Sequence, residues 1–121
     1  MATRDITAEL FNETINDNDI VLVDFWASWC GPCKAFAPTF AASSEQHPDV
    51  VYAKVDTEAE QQLAAAADIR SIPTLMAFKK GKLVFNQAGA LPPAALEELV
   101  QKVKEFDIDA AIAAQDNGQP E

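Results

Sequence analysis

The sequence is poor in cysteine, histidine and basic side chains. Its 121 residues include two cysteines and one histidine, and nine Lys+Arg stand against nineteen Asp+Glu, a formal charge of −10. Each shortage excludes something. A chain this acidic has no basic face with which to grip a phosphate backbone, so no nucleic acid is expected as partner. The same balance argues against docking on anionic lipid. Apolar runs are short, and none reaches the roughly eighteen residues of a membrane span. The N-terminus, Met1-Ala2-Thr3-Arg4-Asp5, has no basic region followed by an apolar stretch. No secretory signal is therefore expected, and the expected compartment is the cytoplasm. Two cysteines and one distant histidine, His47, fall short of the four ligands of a structural zinc site. No metal and no cofactor are expected. His47 itself reads as a solvated residue at a helix end.

What is present suits one folded unit. Apolar residues make up 49% and charged residues 23%, close to the soluble globular average. A chain of this length buries enough surface to fold without a staple. Ile20 to Ala27 (IVLVDFWA) is a nearly continuous apolar run without polar alternation, the pattern of a central strand buried on both faces. Thr3 to Ile6 reads as a short edge strand, Val50 to Val55 as another strand. Thr74 to Lys79 and Leu83 to Gln87 flank Lys80-Gly81-Lys82, which makes them an antiparallel hairpin. Thr7 reads as the N-cap of a first helix, with Leu10, Phe11 and Ile15 on one face. A second helix runs from Cys33 to about Gln46, with Pro38 expected to kink it. Thr57-Glu58-Ala59-Glu60 reads as a capping box opening an alanine-rich helix to about Ala67. Pro92 and Pro93 open the last helix, whose stripe is Leu96, Leu99, Val100, Val103 and Phe106. The order predicts an α/β fold: a central mixed five-stranded sheet with four helices covering both faces. Residues 1–108 form the domain. Residues 109–121 form an acidic C-terminal tail, with Gln115 to Glu121 disordered.

The chemistry sits at Trp29-Cys30-Gly31-Pro32-Cys33-Lys34, where the buried strand ends and a helix begins. A helix N-terminus presents unpaired N–H groups and a partial positive charge, and both stabilise a thiolate. A thiol of ordinary pKa, about 8.5, is only slightly ionised near neutrality; one lowered to about 7 is largely ionised. Cys30 is thus the better nucleophile. Spacing of i to i+3 brings the sulfur of Cys33 within reach of it. The chain-entropy relation gives a four-residue ring only about 2 kcal/mol of stabilisation. Such a disulfide opens and closes cheaply, so the pair reads as a working dithiol. Haem attachment would need a histidine where Lys34 stands.

WCGPCK after a VDFWAS strand resembles thioredoxin, and the resemblance runs over roughly residues 5 to 106. It implies the thioredoxin fold and a protein-disulfide reductase, because Gly31-Pro32 between the cysteines is typical of reducing members. Asp24, an acid in the middle of a buried strand, should have a raised pKa. By resemblance it lies beneath the dithiol and assists proton transfer at Cys33, and Lys54 is the lysine that neighbours it. From the residues alone, Asp24 at a solvated edge and Lys54 as an ordinary strand lysine both stay open. In Ser71-Ile72-Pro73-Thr74 the residues alone predict a trans bond, since only about 5–6% of X–Pro bonds are cis; the resemblance implies a cis Pro73 beside the dithiol. It also implies a flat, mostly uncharged substrate-binding surface of Trp29, Ile72, Pro73, Gly89 and Ala90, shaped by Gly31 and Pro32. The implied partners are disulfide-containing proteins and an NADPH-dependent flavoprotein thioredoxin reductase, with the chain itself a monomer. The chain departs from the pattern at Ala67-Asp68, where many members have an aromatic-Gly pair, and this should alter the end of the third helix. A competing reading is a redox-independent binding or scaffold subunit that uses the same surface.

Overall fold

The apolar run at Ile20 becomes the middle strand of a five-stranded sheet. A computed structural model describes residues 2–118. The elements run β1 (Thr3–Asp5), α1 (Ala8–Asp17), β2 (Ile20–Trp26), α2 (Gly31–Gln46), β3 (Val51–Asp56), α3 (Gln61–Ala66), β4 (Thr74–Lys79), β5 (Lys82–Ala88), α4 (Pro93–Glu105) and α5 (Ile108–Gly118). The sheet order is β1-β3-β2-β4-β5. The β2–β3 and β1–β3 pairs are parallel, while β2–β4 and β4–β5 are antiparallel. This is the expected mixed sheet, with the hairpin at one edge.

Alternation along β2 explains why the run has no polar face. Ile20 and Leu22 point into a cluster with Phe36 and Phe40 of α2, Tyr52 of β3 and Leu96, Leu99 and Val100 of α4. Val21, Val23 and Phe25 point the other way, against Phe11 and Ile15 of α1 and the partly buried Leu63 of α3. A strand with a core on each side must be apolar at every position. Each fully buried aromatic or aliphatic side chain contributes about 1.5–3 kcal/mol. Asp24 is the exception, and it lies on the face shared with α2.

Several expectations are corrected. Among the described residues there are five helices rather than four. The first residues of the expected acidic tail form α5, because Asp107 receives the Ala110 N–H at 2.9 Å on its side chain and Ile108 is buried as an anchor. The disorder expected for Gln115 to Glu121 falls partly on residues 119–121, outside the described residues; the backbone of 115–118 is helical. Thr57 opens no capping box. Its hydroxyl donates to the Trp26 carbonyl at 3.0 Å, and α3 begins only at Gln61 after a turn held by Asp56, whose carboxylate accepts from the Glu58 N–H. The second helix starts at Gly31 rather than Cys33 and continues through Pro38. Thr7 stands at the N-cap of α1 but makes no side-chain cap bond, and Leu10 is exposed. Phe106 lies beyond the α4 stripe as an exposed C-cap. His47 is not solvated: it is buried, 2.8 Å from Glu97 Oε1, and receives Lys104 Nζ on Nδ1 at 2.9 Å.

Candidate active site

The site forms where β2 ends and α2 begins. Cys30 is the N-cap residue of α2, with Gly31 and Pro32 in its first turn. The Cys33 backbone N–H donates to Cys30 Sγ at 3.1 Å. A sulfur at a helix N-cap thus takes the place usually held by a Ser or Asp oxygen. Cys30 and Cys33 are joined by a disulfide, with their Cα atoms 5.2 Å apart. Both are nearly buried, against Ala27 and the partly buried Trp26 and Ile72.

Trp29 is 66% exposed, and its Nε1 donates to Glu58 Oε2 at 2.8 Å. The Ile72–Pro73 bond is cis, as the resemblance implied and the residues alone did not. The Ile72 carbonyl oxygen lies 3.6 Å from Cys30 Sγ. The Gly89 N–H donates to the Pro73 carbonyl at 2.8 Å. Gly89 has φ +103, a conformation that side chains rarely adopt, so glycine is required there. Ala90 follows it on the surface.

Beneath the disulfide, Asp24 is wholly buried, and neither of its oxygens has a hydrogen-bond partner. Burial pushes its carboxyl up to about 6; the positive charge of Lys54, its register partner on β3, opposes that rise. Asp24, Cys33, Lys34 and Lys54 line one cavity of about 230 Å³ with Trp26, Ala27, Ser28 and Ala37. Asp24 and the second cysteine therefore border the same cavity. A group that titrates near neutrality beside a thiol is suited to move a proton to or from it. Among the described residues no cluster of three or more acid, His or Cys side chains is placed to hold a metal, and no helix is long and apolar enough to cross a membrane.

Of the residues singled out in the sequence, Cys30, Cys33, Gly31, Pro32, Trp29 and Ile72 gather at the disulfide. Pro73 and Gly89 are linked to each other beside it, and Asp24 and Lys54 lie below. Sequence reasoning missed Trp26 and Glu58. Trp26 had a signal, since a residue two after Asp24 in a strand shares its face. Glu58 had none, because its contact with Trp29 spans 29 positions.

The thioredoxin family model matches residues 2–104. A thioredoxin-family protein of Streptomyces coelicolor is 49% identical over 108 residues, covering 89% of this chain and 81% of that one. A thioredoxin of Porphyra purpurea is 40% identical over 104 residues, covering 84% and 97%. Among solved structures, a mutant thioredoxin from Halobacterium salinarum superposes with a TM-score of 0.78 at 33% identity, covering 88% of this chain and 98% of that one. Plasmodium falciparum thioredoxin gives 0.77 at 34% identity, covering 83% and 98%. With a Cys-Gly-Pro-Cys disulfide at the start of α2 on the same fold, the chain belongs to the thioredoxin family and is a protein-disulfide oxidoreductase.

Proposed function

We propose that the protein works as a reductant of disulfides in other proteins, with Cys30 as the attacking sulfur and Cys33 as the resolving one. The observation that carries this is the Cys33 N–H donating to Cys30 Sγ at the N-terminus of α2. That donor and the helix end stabilise negative charge on Cys30 rather than on Cys33. In the dithiol form, the Cys30 thiolate attacks one sulfur of a substrate disulfide. A mixed disulfide forms, and the other substrate sulfur leaves as a thiolate. Cys33 gives its proton to the Asp24 carboxylate, directly or across the shared cavity, and attacks Cys30. The Cys30–substrate bond breaks, the second substrate sulfur leaves as a thiolate that can take the proton held on Asp24, the first thiolate takes one from water, and two electrons have passed to the substrate from the protein. The Cys30–Cys33 disulfide remains. Lys54 moderates the proton affinity of Asp24.

Trp29, Ile72, Gly89 and Ala90 form the surface on which an extended substrate segment lies, with the buried Pro73 behind Ile72 and Gly31 and Pro32 keeping the backbone low around the sulfurs. The Ile72 carbonyl, next to Cys30 Sγ, is placed to accept a substrate N–H as in strand addition. The oxidised protein is returned to the dithiol by a thioredoxin reductase, an NADPH-dependent flavoprotein. A reducing compartment, the cytoplasm, suits this cycle, and a monomer leaves the surface open. Residues 1–108 are the catalytic unit, and 109–121 are an appended acidic segment.

Cys30→Ser tests the assignment. Reduction of a disulfide-bonded protein, driven by excess small dithiol, is expected to lose the whole catalysed rate. A variant that kept it would move the chemistry elsewhere and favour a binding role for the surface.

A further inference from the structure

Lys54 stands opposite Asp24 in the β2–β3 register. From there an ammonium would ordinarily close onto a buried carboxylate. It does not, because both Asp24 oxygens lack a hydrogen-bond partner. The Lys54 ammonium lies instead over the Trp26 ring, 5.0 Å from the centroid. Trp26 shares the face of Asp24 and lines the same cavity. A cation within about 6 Å of a tryptophan face is attracted by the ring quadrupole, most strongly where water is scarce.

We propose that Trp26 is a positioning residue for the proton transfer: its ring holds the Lys54 ammonium off the Asp24 carboxyl and leaves both carboxyl oxygens free toward Cys33. A close Lys54–Asp24 pair would defeat that purpose twice. It would occupy an oxygen, and it would hold the carboxylate in its charged form, a poorer proton acceptor. The charged groups facing the cavity are few: Lys54 from β3, and Lys34 from α2 beside Cys33. β4 presents the uncharged Leu75 as the register partner of Asp24. Lys54 is therefore the cation whose placement matters most, and Trp26 is what places it. The inference rests on the reading of Asp24 as proton acceptor, but its test does not.

The test follows the Asp24 carboxyl by carbon NMR as pH varies. The oxidised protein is used, so that neither sulfur titrates alongside. Trp26→Leu and Trp26→Phe are compared in the Lys54 and Lys54→Met backgrounds. With Lys54 present, Trp26→Leu is expected to lower the proton affinity of Asp24 about tenfold, the scale of one desolvated cation–π contact. Trp26→Phe should lower it less, since a weaker π-face remains. With Lys54→Met, most of the Trp26→Leu effect should vanish. Equal effects in both backgrounds would overturn the proposal, because the ring would then act only by excluding water. So would no effect with Lys54 present. If Trp26→Leu fails to fold, the Trp26→Phe comparison across the two backgrounds decides by the same difference. The expected titrations, together with an Asp24→Asn variant that resolves mixed disulfides at the wild-type rate, would support the positioning and overturn the catalytic reading alone.

Discussion

The backbone N–H of Cys33 donates to the Sγ of Cys30 at 3.1 Å. Donation runs in one direction, so the two sulfurs are inequivalent before any substrate arrives. The donor belongs to the backbone and survives replacement of the Cys33 side chain.

Cys33→Ser should therefore keep an attacking thiolate and lose the resolving group. Incubated with a disulfide-bonded protein, it is expected to accumulate a mixed disulfide stable to gel electrophoresis without reductant. Cys30→Ser should accumulate little or none. A covalent adduct formed equally by Cys30→Ser would reverse the roles.

Asp24 carries a stability signature with a definite sign. Its folded carboxyl titrates at about 6 against an ordinary 3.8. The folded state holds this proton more tightly than the unfolded chain, so the group lowers stability as pH rises from about 4 through about 6. The full loss, about 3 kcal/mol, is present above the folded value. Asp24→Asn should thus be more stable than wild type by about 2–3 kcal/mol at pH 8 and by little near pH 4. Urea unfolding at the two pH values measures this. A difference independent of pH would mean that the carboxyl is not perturbed.

Asp68 occupies a position that favours glycine. Its φ is +57, and it follows the C-cap of α3. The Asp68 N–H donates to the Ala65 carbonyl, and the Ile69 N–H to that of Ala64 at 3.0 Å, the double bond of a Schellman end. Asp68 thus takes the left-handed position of this helix end, where a glycine would sit without strain. Asp68→Gly should raise stability by about 0.5 kcal/mol, the relief of left-handed backbone less the added unfolded-state entropy. The lost Arg70 contact is exposed and worth little. Thermal unfolding checks this, and a lower midpoint would contradict it.

Lys79 ties the sheet to the end of α4. Its Nζ donates to the carbonyls of Val103, Lys104 and Phe106 at 2.8, 3.0 and 2.7 Å. Lys79→Met leaves these carbonyls without their donor and removes a cation from a helix C-terminus. A loss of about 2–4 kcal/mol in urea unfolding is expected. A loss under about 0.5 kcal/mol, the usual range for a surface change, would show that water replaces the lysine freely.

Legibility in the sequence followed the range of the interaction. Ile20 to Ala27 announced a doubly buried strand because strand periodicity is local, and Cys30 to Cys33 announced a dithiol because the spacing lies within one helical turn. Asp24 stood out as an acid where none belongs. The features that escaped depend on distant partners. His47 reads as a surface residue until Glu97 and Lys104, 50 and 57 positions away, fold over it. Thr57 has the residues of a capping box, but the Trp26 carbonyl, 31 positions earlier, takes its hydroxyl. In α5, the Asp107 cap and buried Ile108 outweigh the acidic composition that read as a tail. The cis bond at Pro73 was carried by family resemblance alone.

The reduction potential of the Cys30–Cys33 pair tests the central claim most directly. It is obtained by equilibrating the protein against a defined thiol–disulfide buffer and counting free thiols. A reductant should lie near about −270 mV, the reference value for thioredoxin itself and not one derived from this geometry. A potential near about −180 or −120 mV, the range of isomerases and strong oxidants, would contradict the account.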